Sequence, residues 1–73
     1  MTPELFALKH DVATLKEWRD AQRLSQEEAG RVLGISAPSY GRLEMGKLFV
    51  KGKKAKRIHE VTGVPLAILV GAA

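Results

Sequence analysis

Leu24-Ser25-Gln26-Glu27-Glu28-Ala29-Gly30-Arg31-Val32-Leu33-Gly34-Ile35-Ser36, followed by residues 37–46, is the stretch that decides the fold. Ser25 starts a helix as its N-cap. Glu28, three residues on, completes a capping box in which hydroxyl and carboxylate satisfy orphan amides reciprocally. Ala29, Val32 and Leu33 fall on the face expected to meet the core. Gly30 sits mid-helix, where it costs up to about 1 kcal/mol relative to Ala; close approach of another helix would offset that. Gly34 ends the helix, in the left-handed conformation expected of a C-cap glycine. Ile35 follows as an apolar plug. Ser36 caps a further helix, and Pro38 falls in its first turn, where a missing N–H costs nothing. Tyr40 and Leu43 face inward, whereas Ala37, Pro38, Gly41, Arg42 and Met45 lie on the other side. Gly46 ends this second helix, which at about nine residues would not be stable alone.

Upstream, Thr2-Pro3-Glu4 has the form of a helix start: a Thr cap, Pro at the first position and Glu favoured by the helix dipole. Leu5, Leu8, Val12, Leu15, Trp18 and Ala21 then recur at spacings of three and four, which predicts a helix over 3–22. His10-Asp11 offers a break within it, since Asp11 is itself a good cap. Whether 3–22 forms one helix or two is left open by the sequence. Downstream, 47–52 reads as a loop containing Leu48, Phe49 and Val50. A helix is predicted over about 52–62, with Ala55, Ile58 and Val61 inward and Lys53, Lys54, Lys56 and Arg57 outward. Gly63 ends it. Pro65 opens a short last helix to about Val70, whose apolar residues are too many for one face. With no strand pattern, the expectation is all-α, five helices joined by short connections.

The chain has 73 residues, which suits a single domain over 1–73. It has no cysteine, which excludes disulfide scaffolds and thiolate metal sites and suits a reducing cytosol. No apolar run approaches the ~20 residues of a membrane span, and the start lacks the form of a secretion signal. The net charge of +4 is unevenly spread. Residues 1–41 carry −1, residues 42–57 carry +6 and residues 58–73 carry −1. One positive block suits a polyanion; a solvated lysine-rich loop is the plain alternative. Its place directly after the second helix of the opening pair favours nucleic acid.

The chain resembles the lambda-repressor/Cro-like (XRE-type) helix-turn-helix family. Carrying the resemblance are residues 24–29, Leu33-Gly34-Ile35-Ser36, Arg42-Leu43-Glu44 with Gly46, and Gly63-Val64; it covers 15 to about 69. The resemblance implies a compact five-helix lambda-repressor-like domain with its helix-turn-helix at about 25–46. It implies a recognition helix over 36–45, with base contacts at Ala37, Pro38, Gly41 and Arg42. It implies a DNA-backbone contact from Gln26; Ser25, Ser36, Ser39, Tyr40 and Met45 are further candidates, and the positive block adds Lys47, Lys51, Lys53 and Lys54. The amide-rich start of the Gln26 helix suits a phosphate. The resemblance further implies an ion pair between Arg19 and Glu44. Departures are visible. Ala37 and Pro38 offer only apolar contact, for instance with a thymine methyl. Arg42 is left as the main hydrogen-bonding reader, suited to guanine, and Tyr40 stands where relatives carry an aliphatic residue.

Other chemistry finds little support. Trp18 and Phe49 suit core or dimer packing better than base stacking. His10 and His59 lack a second ligand at metal spacing. Ser25, Ser36 and Ser39 are caps or motif residues, so no nucleophilic triad is readable, and no glycine-rich phosphate loop exists. The expectation is therefore a non-enzymatic, sequence-specific transcriptional regulator, a repressor of stand-alone phage Cro-like type, with no metal, cofactor or small-molecule ligand. It is expected to act in the cytoplasm of a prokaryote, or to be phage-encoded. Its partner would be double-stranded DNA, a palindromic operator bound by a homodimer. Phe49, Leu66, Ile68, Leu69 and Val70 are the candidate dimer surface. The alternative is a protein-interaction module of the same fold, an antitoxin or co-regulator, binding a partner protein through its apolar C-terminal segment.

Overall fold

The computed structural model describes residues 12–72. The expectations for Thr2, Pro3, Glu4, Leu5, Leu8, His10 and Asp11 lie outside these residues. Those described form five helices and no strand: α1 Leu15–Gln22, α2 Gln26–Leu33, α3 Ala37–Glu44, α4 Gly52–Thr62 and α5 Leu66–Val70.

A helix running unbroken through residues 12–14 is not what forms. Val12 and Ala13 are not helical, and α1 begins at Leu15. Thr14 caps it, its hydroxyl accepting from the Glu17 amide at 3.2 Å, while Glu17 Oε1 accepts from the Ala13 amide at 2.7 Å. The local cap therefore wins over the apolar periodicity that continues through it. α1 ends at Arg23, whose φ of 57° is left-handed without glycine's freedom. That conformation lets the amides of Arg23 and Leu24 bond back to Asp20 and Arg19 carbonyls, closing the helix end.

α2 and α3 are the most closely packed pair. The capping box is complete: Ser25 Oγ accepts from the Glu28 amide (3.0 Å) and Glu28 Oε1 from the Ser25 amide (2.8 Å). Gly34 has φ 74°. The reason for Gly30 is a close approach, though of the turn rather than of a neighbouring helix flank. A methyl group there would lie 2.8 Å from the Ile35 carbonyl oxygen and 3.3 Å from that of Ser36. Backbone would have to move to admit it. Glycine at 30 thus lets the turn fold back against α2.

The core is one cluster of Leu15, Trp18, Ala29, Leu33, Tyr40, Leu43, Ile58, Val64 and Leu69. Every helix contributes to it. Trp18 is inside, which settles it as packing. Val32 is not: it is 46% exposed, because α2 presents the Ala29–Leu33 stripe inward and Val32 falls to one side. Ala21 is exposed on α1 for the same reason. Where α4 stops, the buried Thr62 hydroxyl donates to the Ile58 carbonyl (2.7 Å) and accepts from the Val64 amide (3.1 Å). His59 Nδ1 lies 2.7 Å from the Val64 carbonyl, an acceptor only, so that nitrogen carries the proton. The loop after α3 is tied to α5 by the Val50 amide donating to the Leu69 carbonyl at 3.0 Å. Among the described residues, no helix is long and apolar enough to cross a membrane.

Candidate nucleic-acid interface

Three helices are joined at one carboxylate. Glu44, the last residue of α3, accepts from Arg19 Nε at 2.8 Å and from Arg19 Nη2 at 3.2 Å. It also accepts from Gln26 Nε2 at 3.0 Å. Arg19 Nη1 donates in turn to the Leu24 carbonyl at 3.1 Å. The ion pair is well sheltered, with side chains 16% and 8% exposed. Burial pushes the Glu44 carboxyl up, but the bonds from Arg19 and Gln26 and the Arg19 charge outweigh it, so it titrates below its ordinary value. The bond to Glu44 raises Arg19 above its ordinary value, against the opposing effect of burial. The pair fixes the angle of α3 against α1 and the start of α2; such pairs set geometry more dependably than they add stability.

This clamp orients Gln26. An ionised carboxylate only accepts, so the amide NH2 of Gln26 must face Glu44. Its second N–H and its carbonyl oxygen have no partner among the described residues and can serve an outside one. The amide lies over α3, with both its oxygen and its nitrogen within 4.0 Å of where a Gly41 side chain would start. Neither the Gln26–Glu44 bond nor its consequence follows from the sequence pattern, because the two residues are 18 apart.

The outer side of α3 is bare. Pro38 and Arg42 are exposed, and Ala37 and Gly41 are half-buried. The Arg42 side chain makes no hydrogen bond or ion pair with the described residues. Ser36 caps α3 by accepting from the Ser39 amide (3.2 Å), and its hydroxyl donates to Ser39 Oγ at 2.9 Å. The Ser39 hydroxyl proton is thereby left to a further acceptor. Met45 is the exposed C-cap.

Tyr40 does not belong with these groups. It is 0% exposed, and its hydroxyl donates to the Leu15 carbonyl at 3.2 Å. Burial, and next the neighbouring Glu44, push that hydroxyl above its ordinary value. A phosphate cannot reach it, and the backbone contact expected of Tyr40 is replaced by a role inside the core.

Lys47, Lys51, Lys53 and Lys54 are all exposed. Lys51 is the N-cap of α4 and makes no side-chain capping bond, and no acidic residue stands in the first turn. Free amides, the positive end of the helix dipole and three lysines therefore meet at one helix start. The start of α2 differs. Its capping box uses two amides, and Glu27 and Glu28 bring negative charge close to Ser25 and Gln26. Hydrogen bonds from Ser25 hold the Glu28 carboxyl below its ordinary value.

At the other end of the chain, Phe49, Leu66, Ile68 and Val70 are exposed, Phe49 by 51%. Leu69 is 1% exposed; it points into the core and leaves the expected dimer surface. Phe49 packs over Gly71 and borders a hollow of about 230 Å³ with Thr14, Leu43 and Ile68. Among the described residues, no three histidines or carboxylates gather as a metal site.

Capped helices joined by a turn at Gly34, packed on three others, define an all-helical helix-turn-helix domain. A family model, described as helix-turn-helix, matches residues 15–69. The chain belongs to this family, the XRE-type, lambda-repressor/Cro-like helix-turn-helix proteins. Membership implies double-stranded DNA as partner and a regulatory role, in a family that is typically non-enzymatic. No curated protein and no solved structure matches the chain at a significant level.

Proposed function

We propose that the chain is a sequence-specific transcriptional repressor that lays α3, with its caps Ser36 and Met45, in the major groove of DNA. The observation that carries this reading is the contrast across α3. One side is locked by Tyr40, Leu43 and Glu44, while the other holds Arg42, whose side chain has no partner among the described residues, and has the oriented Gln26 amide over it. Arg42 would grip a guanine edge bidentately, and Ala37 and Pro38 would meet thymine methyls. Gln26, Ser25 and Ser39 would hold phosphates, as would Lys47, Lys51, Lys53 and Lys54 around the uncapped start of α4. Occupying an operator is enough to block transcription, which makes repression the simplest outcome.

One short helix reads few base pairs, so useful specificity needs two copies on an inverted repeat. Phe49, Leu66, Ile68 and Val70 are the apolar groups free to form that homodimer contact. The same residues, of which Phe49 and Ile68 border the hollow, also favour a second reading, in which they dock a partner protein such as a toxin or another regulator.

Selection of sites from random duplex DNA separates the two. Repression as a dimer predicts an inverted repeat with half-site centres about 34–36 Å apart. It also predicts log affinity falling with log salt by about 0.9 for each phosphate held. No enriched site at low salt, or a flat salt dependence, would favour the protein partner.

A further inference from the structure

Glycine weakens a helix interior, so each one invites the question of what the fold gains. Five of the seven glycines have φ between +61° and +80°, which a side chain would resist. Gly30 is required by the backbone of the turn, 2.8 Å from where its side chain would start. Gly41 has neither reason. It lies in the middle of α3 with ordinary helical φ, and the nearest atoms to a side chain there are the Gln26 amide oxygen at 3.8 Å and nitrogen at 4.0 Å. Those are ordinary van der Waals distances, so the folded chain has room for a methyl group. α3 has only eight residues, and so short a helix tolerates a weak position poorly. Nothing within the described residues offsets the loss.

The remaining use of a bare helix position is close approach of the backbone to a ligand. Gly41 lies beside the oriented amide of Gln26 and precedes Arg42, whose guanidinium has no partner among the described residues, on the outer side of α3. We propose that Gly41 is a specificity-determining position: its missing side chain lets α3 sit close against the base-pair edges between the contacts of Gln26 and Arg42. This rests on the DNA-binding reading above and deepens it. A methyl at 41 would hold the helix off the bases and lengthen the reach of Arg42. A side chain longer than alanine would also displace the Gln26 amide, so alanine is the clean probe.

The test compares wild type and Gly41→Ala by thermal unfolding and by affinity for the duplex that wild type enriches from random DNA. The expected result is opposite in sign for the two readings. Tm should rise by roughly 4 °C, as a helix gains alanine, while affinity falls about tenfold, the scale of a damaged base contact. Equal or tighter binding with a raised Tm overturns the role of Gly41 and leaves the DNA reading intact. An unchanged or lowered Tm would show that the fold itself needs the glycine, which also overturns it. If wild type enriches no duplex, the DNA reading fails and the proposal falls with it.

Discussion

Glu44 and Arg42 stand two residues apart on α3, in opposite surroundings. Glu44 is sheltered and accepts three hydrogen bonds from α1 and α2. Arg42 is exposed, and its side chain is not bonded to any described residue. The inner side of the helix is specified by many contacts, and the outer side by almost none. Positioning and recognition are therefore assigned to separate residues. The chain fixes where α3 lies with Arg19, Tyr40, Leu43 and Glu44, and leaves its outer surface chemically sparse. Substitutions on the two sides should then fail in different ways.

The largest effect is expected at Glu44. Glu44→Ala leaves the Arg19 guanidinium sheltered and unpaired, and should cost about 3 kcal/mol of unfolding free energy in urea. A cost under about 0.5 kcal/mol would mean the clamp does not hold the helices. The same residue sets an acid limb. Because the folded Glu44 titrates below its ordinary value of 4.5, its contribution is complete above that pH and is lost as pH falls through the folded value. Glu28 acts in the same direction. The urea midpoint of wild type should fall between pH 5 and pH 3, and that of Glu44→Gln should fall less. Equal slopes for the two would remove Glu44 from the account.

A smaller effect, and of the other kind, is expected at Arg42. Arg42→Ala should leave stability within about 0.5 kcal/mol. Affinity for the selected duplex should drop about tenfold, with relaxed preference at one base position. A uniform loss over all sequences would make Arg42 a phosphate contact instead.

Much of this division is written locally. Ser25 with Glu28, Gly34 and Ser36 are caps whose chemistry acts within a few residues, so the helix-turn-helix is legible from sequence. The break before α1 was marked too, by Thr14-Leu15-Lys16-Glu17, but the apolar spacing runs through it and leaves one helix or two open. Other features depend on residues far apart. Tyr40 is polar enough to suggest a phosphate until the Leu15 carbonyl, 25 residues away, is seen to take its hydroxyl. Leu69 cannot be told from Ile68 or Val70 in a five-residue apolar run; the Val50–Leu69 backbone bond and the packing of the loop decide which one turns inward. The Gln26–Glu44 bond joins two helices whose crossing no spacing rule gives. The candidate interface was thus legible as a stretch, while the orientation of its members was not.

The claim that the outer side of α3 is the DNA face can be tested residue by residue. Backbone amide shifts of 15N-labelled protein, followed as the selected duplex is added, should change most at Gln26, Ala37, Gly41 and Arg42. Smaller changes are expected at Lys51, Lys53 and Lys54. Shifts confined to Phe49, Leu66, Ile68 and Val70, with α3 unmoved, would contradict the account and place the working surface at the other end of the chain.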